Sequence, residues 1–307
     1  MTDLETIVLA EGGPVTSPDE HADESSSKRF GLAGWLALGW LVLVGVVVAF
    51  ADLLPFADPM QPGDYKMLAP GESGFLLGSD GIGRDFLARI VYGGRNSLII
   101  SVGSILGGFL IGGLLGLLSG FYRNWVGRVL AGLFDILLAI PAIVLAMALV
   151  SVLKGDPNSG SQGMDPLYIL VLTLAVVSVP LIARITRAST MAWAKRDFVT
   201  AARAQGASDS RILFREILPN VLPAMVYIAL LGIAIAIVAE GSLAVLGASL
   251  DPPEPTWGML IKEGQDAMED APFLMFIPII VLFVTVLSLN FLGDAIRDRF
   301  DVRESAL

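Results

Sequence analysis

The sequence predicts an all-α membrane protein with six transmembrane helices and one long cytoplasmic helix–turn–helix loop. Three observations carry that prediction. Of 307 residues, 54% are hydrophobic and only 16% charged, with a mean hydropathy of +0.72, whereas a soluble domain carries about 25% charged residues. Six apolar runs approach or exceed the roughly 20 residues needed to cross a bilayer. One stretch, Phe198 to Pro223, lies between two of those runs but is neither membrane-grade apolar nor punctuated like a surface loop.

The first 29 residues hold seven acids before the Lys28-Arg29 pair and read as a disordered acidic tail. Gly31 to Leu54 is the first span, within an anchor segment of residues 30–54. Ala49-Phe50-Ala51 resembles a signal cleavage site, but the long acidic tail and the length of the run favour a retained anchor. Residues 55–96 are too polar to span and form an extracytoplasmic segment, with a short helix expected over Ile82 to Tyr92, opened by Asp80 and ended by Gly93-Gly94.

A five-helix core follows over residues 97–293. Leu98 to Leu118 is the second span, with glycines recurring largely every fourth position from Gly103 to Gly120, the spacing that lets two helix backbones approach. Val129 to Val152 is the third span, kinked at Pro141. A Gly/Ser/Asp loop from Lys154 to Pro166 leads to the fourth, Leu167 to Ile185. Asn220 to Leu246 is the fifth and Phe273 to Leu292 the sixth, separated by the turn-rich segment Asp251 to Leu260. Residues 294–307 form a cytoplasmic tail.

Within the loop of residues 196–219, Thr200 to Gln205 favours helix and Gly206 a break. Ser208 then caps a second helix from Asp209 to Ile217, with Leu213, Phe214 and Ile217 as its apolar face. Pro219 suits the first turn of the next helix, where a missing N–H costs nothing. With the N-terminus inside, fourteen of the twenty Lys and Arg residues fall in cytoplasmic segments, so both termini and this loop are expected in the cytoplasm.

Composition and motifs exclude several functions. There is no cysteine, and the one histidine, His21, lies in the tail, which leaves no serine–histidine catalysis and no zinc spacing. A net charge of −10 argues against nucleic acid as a partner. No Gly-Lys pair exists, so the chain has no phosphate-binding loop and hence no recognisable ATPase of its own. Catalytic and metal-ligating residues are therefore expected to be absent, as is any bound cofactor.

Ala201-Ala202, then Gly206, then Leu218-Pro219 resembles the cytoplasmic coupling loop of ATP-binding-cassette (ABC) importer permeases, written Glu-Ala-Ala, three residues, Gly, nine residues, Ile, any residue, Leu-Pro. Thr200 stands where that family has Glu, and Glu216 where it has Ile. Gly78-Ser79-Asp80, Gly83-Arg84-Asp85, and Gly93, Arg95 and Ser97-Leu98 are similar to a signature of the dipeptide and oligopeptide branch, as is the segment around Trp257-Gly258. The resemblance implies a type I ABC importer permease fold, with Thr200, Ala201, Ala202, Gly206, Ala207, Ser208, Leu218 and Pro219 forming the loop that an ATPase grips. It also implies a heterodimer with a second permease, two cytoplasmic ATPase subunits that hold ATP and Mg, an extracytoplasmic substrate-binding protein, and a setting in the bacterial cell membrane. Importers of nickel and other small solutes share the branch, and an ion-gradient-driven carrier is the alternative of another class.

Asp135 and Glu240 lie within apolar runs, where a mid-bilayer charge costs about 2.5–3.5 kcal/mol. Each is a candidate to line the translocation path, or else to make an interhelical hydrogen bond.

Overall fold

The computed structural model describes residues 31–122, 124–155 and 164–304. The expected acidic tail lies outside them, as do residues 156–163 of the loop after Lys154 and the last three residues of the C-terminal tail. Helix α1 (Leu32–Ala49) is mostly exposed and leans on the last helix, α10 (Phe273–Glu304), through a Trp40 Nε1 to Thr285 Oγ1 hydrogen bond of 3.0 Å.

Helix α2 (Phe86–Phe121) has 36 residues, about 54 Å of helix. Here the structure corrects the expectation of a separate short helix at Ile82 to Tyr92. The helix starts at Phe86, capped by Asp85, whose carboxylate accepts from the Ala88 amide at 3.1 Å, and it passes through Gly93-Gly94 unbroken. Those glycines make room. A Cβ on Gly94 would lie 2.8 Å from Cζ2 of Trp257, and one on Gly93 3.3 Å from the Thr256 carbonyl carbon. Asp80 does not open the helix; it is an ion-pair partner.

The third apolar run forms two helices, α3 (Trp125–Ala139) and α4 (Ala142–Lys154), bent by 92° at Ile140-Pro141. Proline pushes its predecessor out of helical geometry, and Ile140 is extended at φ −81° and ψ 128°. Neither piece is long enough to cross alone. Among the described residues five helices are long and apolar enough to span a membrane, and six if this bent pair counts as one. The chain is a multi-pass membrane protein.

Helix α5 (Pro166–Trp193), capped by Asp165, packs closely along α2. A Cβ on Gly112 would stand 2.6 Å from the Val179 carbonyl oxygen, on Gly116 2.5 Å from that of Ala183, and on Gly120 2.7 Å from that of Arg187. The glycine stripe is thus the seam where two backbones touch. Beyond α5 come α6 (Asp197–Ala204), α7 (Asp209–Arg211) continued by a π-helical turn (Ile212–Ile217), α8 (Leu218–Val245) and α9 (Trp257–Asp266). Helix α10 runs well past the expected end of its span at Leu292.

Candidate functional site

At the cytoplasmic end predicted by the charge count, α6 closes in a complete Schellman motif. The Gly206 amide donates to the Arg203 carbonyl at 2.9 Å, and the Ala207 amide to the Ala202 carbonyl at 3.0 Å. Gly206 has φ +80°, the left-handed geometry this motif requires. Ala202 and Ala207, which face each other across the motif, both pack on one apolar cluster. Ser208 then caps α7, its hydroxyl accepting from the Arg211 amide at 3.4 Å.

What fixes the hairpin is a buried base. Val199, Ile212, Leu213 and Ile217 pack against Leu117 and Phe121 at the end of α2 and against Val221 and Met225 of α8. The expected apolar face needs correction, since Phe214 is 46% exposed and Ile212 takes its place. The π turn carries about one residue more per turn, so Ile212 and Ile217, five apart, both reach the buried face beside Leu213. The Arg203 guanidinium lies 5.6 Å over the Phe121 ring, so that charge serves the base.

The opposite surface consists of small groups. Thr200, Ala201, Gly206, Ser208 and Pro219 are exposed, Leu218 is half-buried, and nothing stands within 4 Å of a Cβ built on Gly206. Chemically this is a knob of small side chains, interspersed with the exposed Arg203 and Asp209 and flanked by the exposed Arg211 and Arg215.

At the other end, Arg89 of α2 is fully buried and reaches Asp80 (2.7 Å) and both oxygens of Glu263 on α9 (2.5 and 3.1 Å). Arg84 pairs with Asp80 at 2.6 Å. Burial pushes the Asp80 carboxyl up, but hydrogen bonds from the Arg84 amide and guanidinium and the Ile82 amide outweigh it, and its pKa is lowered. Asp52, held by Arg95 (2.9 Å) and Tyr92 (3.0 Å), is lowered too, and it ties the end of α1 to α2.

The two intramembrane acids part company. Asp135 is exposed beside Arg184, with 3.9 Å between their charged atoms. Glu240 is fully buried, accepting from Ser249 Oγ (2.7 Å), Thr256 Oγ1 (2.7 Å) and Ser97 Oγ (3.4 Å). A cavity of about 380 Å³ opens between α4, α5, α8 and α10, lined by Ala146, Leu174, Val238, Ser242 and Asn290 among others. Neither acid lines it, and the structure does not bring them together. The hydroxyl partners of Glu240 had no counterpart in the sequence reading, because they come from α2, from the loop after α8 and from the cap of α9.

The family model described as binding-protein-dependent transport system inner membrane component matches residues 112–304. The chain is 36% identical over 275 residues to a di/tripeptide transport system permease protein, DppC, of Pseudomonas aeruginosa, covering 86% of this chain and 87% of that one. It is equally 36% identical over 269 residues to a glutathione transport system permease protein, GsiD, of Pectobacterium atrosepticum, covering 87% and 86%. Among solved structures it resembles the MetNI methionine ABC transporter in inward-facing form, with a TM-score of 0.56 at 21% identity over 67% of this chain and 93% of that one. The broken third span, the glycine seam and the capped hairpin thus sit on a type I importer permease fold, and the chain belongs to the binding-protein-dependent transport system inner membrane components, the permease subunits of ABC importers.

Proposed function

We propose that this chain is one of two permease subunits of an ATP-driven importer of short peptides, supplying half of the translocation path and no catalytic group. Two cytoplasmic ATPases bind ATP and Mg and grip the hairpin through Thr200, Ala201, Ala202, Gly206, Ala207, Ser208, Leu218 and Pro219. An extracytoplasmic binding protein delivers the solute, and both termini lie in the cytoplasm of a bacterial cell. The observation that carries this reading is the hairpin itself, a small-residue tip on a base packed into the end of α2. A load on the tip must then move the α2 and α8 ends with it. The peptide class follows from the di/tripeptide and glutathione permeases named above. An ion-driven carrier is not favoured, because such a protein gives a docking knob nothing to dock on.

The test is cross-linking in the assembled complex. A cysteine placed at Ala202 or Ser208 is expected to capture an ATPase polypeptide, and failure at both positions refutes the coupling role. The solute recovered with the binding protein should be a peptide. Nickel, or another non-peptide solute, would overturn the substrate class and leave the importer reading intact.

A further inference from the structure

The segment that returns from α8 to α9 is organised around one carboxylate. Oε1 of Glu240 takes both short bonds, from Ser249 and from Thr256, while Oε2 takes the longer one from Ser97. Each donor also holds something else or sits at a key point. The Thr256 hydroxyl caps α9 by accepting from the Met259 amide at 3.1 Å, and Ser97 Oγ accepts from the Trp257 amide at 3.0 Å. The Trp257 indole donates to the Ile90 carbonyl at 3.0 Å. Between these anchors the turn Asp251–Glu254 stands exposed, beyond the end of α8 that lies away from the hairpin. A buried acid in an apolar helix is tolerated only when its donors are fixed in place. Here they come from three separate parts of the chain.

Glu240 also stands on a continuous rod. Helix α8 runs unbroken from Leu218, at the hairpin, to Val245, so the carboxylate lies about 33 Å along one helix from the hairpin's end. We propose that Glu240 is a positioning residue that joins the extracytoplasmic turn and α9 to the coupling hairpin as one mechanical unit. Load applied to the exposed turn by the docked binding protein reaches the ATPases through three hydroxyl bonds and one helix. This rests on the importer reading above.

A glutamine separates this role from solute handling. Its carbonyl oxygen accepts both short bonds and its amide reaches Ser97, so the junction survives without a charge. The measurement is stimulation of ATPase activity by solute-loaded binding protein, on the full complex in lipid nanodiscs at matched assembly. Glu240→Ala should cut the stimulation ratio by about fivefold or more, the low end of typical coupling between sites, and Glu240→Gln should stay close to wild type. A glutamine variant as impaired as alanine, or an alanine variant like wild type, overturns the proposal. If Glu240→Ala does not assemble, Ser249→Ala decides, because it removes one short bond and leaves the α9 cap in place. A reduced ratio supports the role and an unchanged one overturns it. A wild-type complex with no stimulation at all would count instead against the importer reading.

Discussion

Gly116 and Gly113 lie in the same helix, yet a Cβ meets different neighbours at each. At Gly116 it would stand 2.5 Å from the Ala183 carbonyl oxygen and 2.7 Å from Thr186 Cβ, and a packed backbone cannot turn aside. At Gly113 the obstacle is the terminal methyl of Met225, which can swing away. Gly116→Ala should therefore destabilise the complex on the order of 1–3 kcal/mol, the usual range for overpacking, while Gly113→Ala stays near wild type in thermal unfolding. Equal melting curves would show that α2 and α5 are not seamed as described. Gly206 is a third case, with open space but φ +80°, where a β-branched side chain is strained by about 1–2 kcal/mol. Gly206→Val should lose uptake in complexes that still assemble, and normal uptake in that variant would remove the hairpin tip from the mechanism. The glycine spacing on α2 and the break at Gly206 were both legible in the sequence, because each is a local requirement. The setting of Glu240 was not. Its charge was visible, but Ser97, Ser249 and Thr256 meet it only after three elements have folded together.

Where an element's shape was set by its own residues, sequence and structure agree, as with the Ser208 cap and the prolyl break at Pro141. Where a neighbour set it, they part. Gly93-Gly94 signals a helix end by propensity, but the Trp257 ring needs that space and α2 continues. The π turn exchanges Phe214 for Ile212 because hydrogen-bond register is not encoded in hydrophobic spacing. The pairing of α2 with α9 through Arg89 is likewise a tertiary outcome, and it has a consequence in acid. The Asp80 pKa lies below the ordinary 3.8 in the folded protein, so its contribution is fully present above 3.8 and is lost as pH falls through the lowered value. The α2–α9 junction should thus show no Asp80-dependent change in stability at neutral pH and should loosen only in strong acid. Arg89→Ala should do more, about 1–3 kcal/mol, because it removes the buried cation that bonds both Asp80 and Glu263 and leaves Arg84 alone between them. Thermal unfolding of both forms at pH 7 checks this. An Arg89→Ala complex as stable as wild type would mean the cluster contributes nothing to holding α9.

At the scale of the whole chain, the two specialised ends lie on opposite sides of the apolar spans, and the side each occupies can be measured directly. The hairpin is flanked by Lys195, Arg196, Arg211 and Arg215, whereas the exposed turn near α9 carries Asp251 and Glu254. Positive charge is retained inside, so the hairpin is expected in the cytoplasm and the turn outside. Because the sequence contains no cysteine, single substitutions report without background. A cysteine at Ser208 should react with a membrane-impermeant maleimide only after the membrane is opened, and one at Glu254 should react in intact spheroplasts. Both positions are exposed and neither takes part in the buried clusters, so the label tests topology and not folding. The reverse pattern would place the knob where no cytoplasmic ATPase could reach it. Protection of both sites until permeabilisation would instead put an even number of crossings between them, with α8 no longer counting as a span. The expected pattern requires α8 to cross once, which makes a single helix continuous from the capped hairpin to the Glu240 junction.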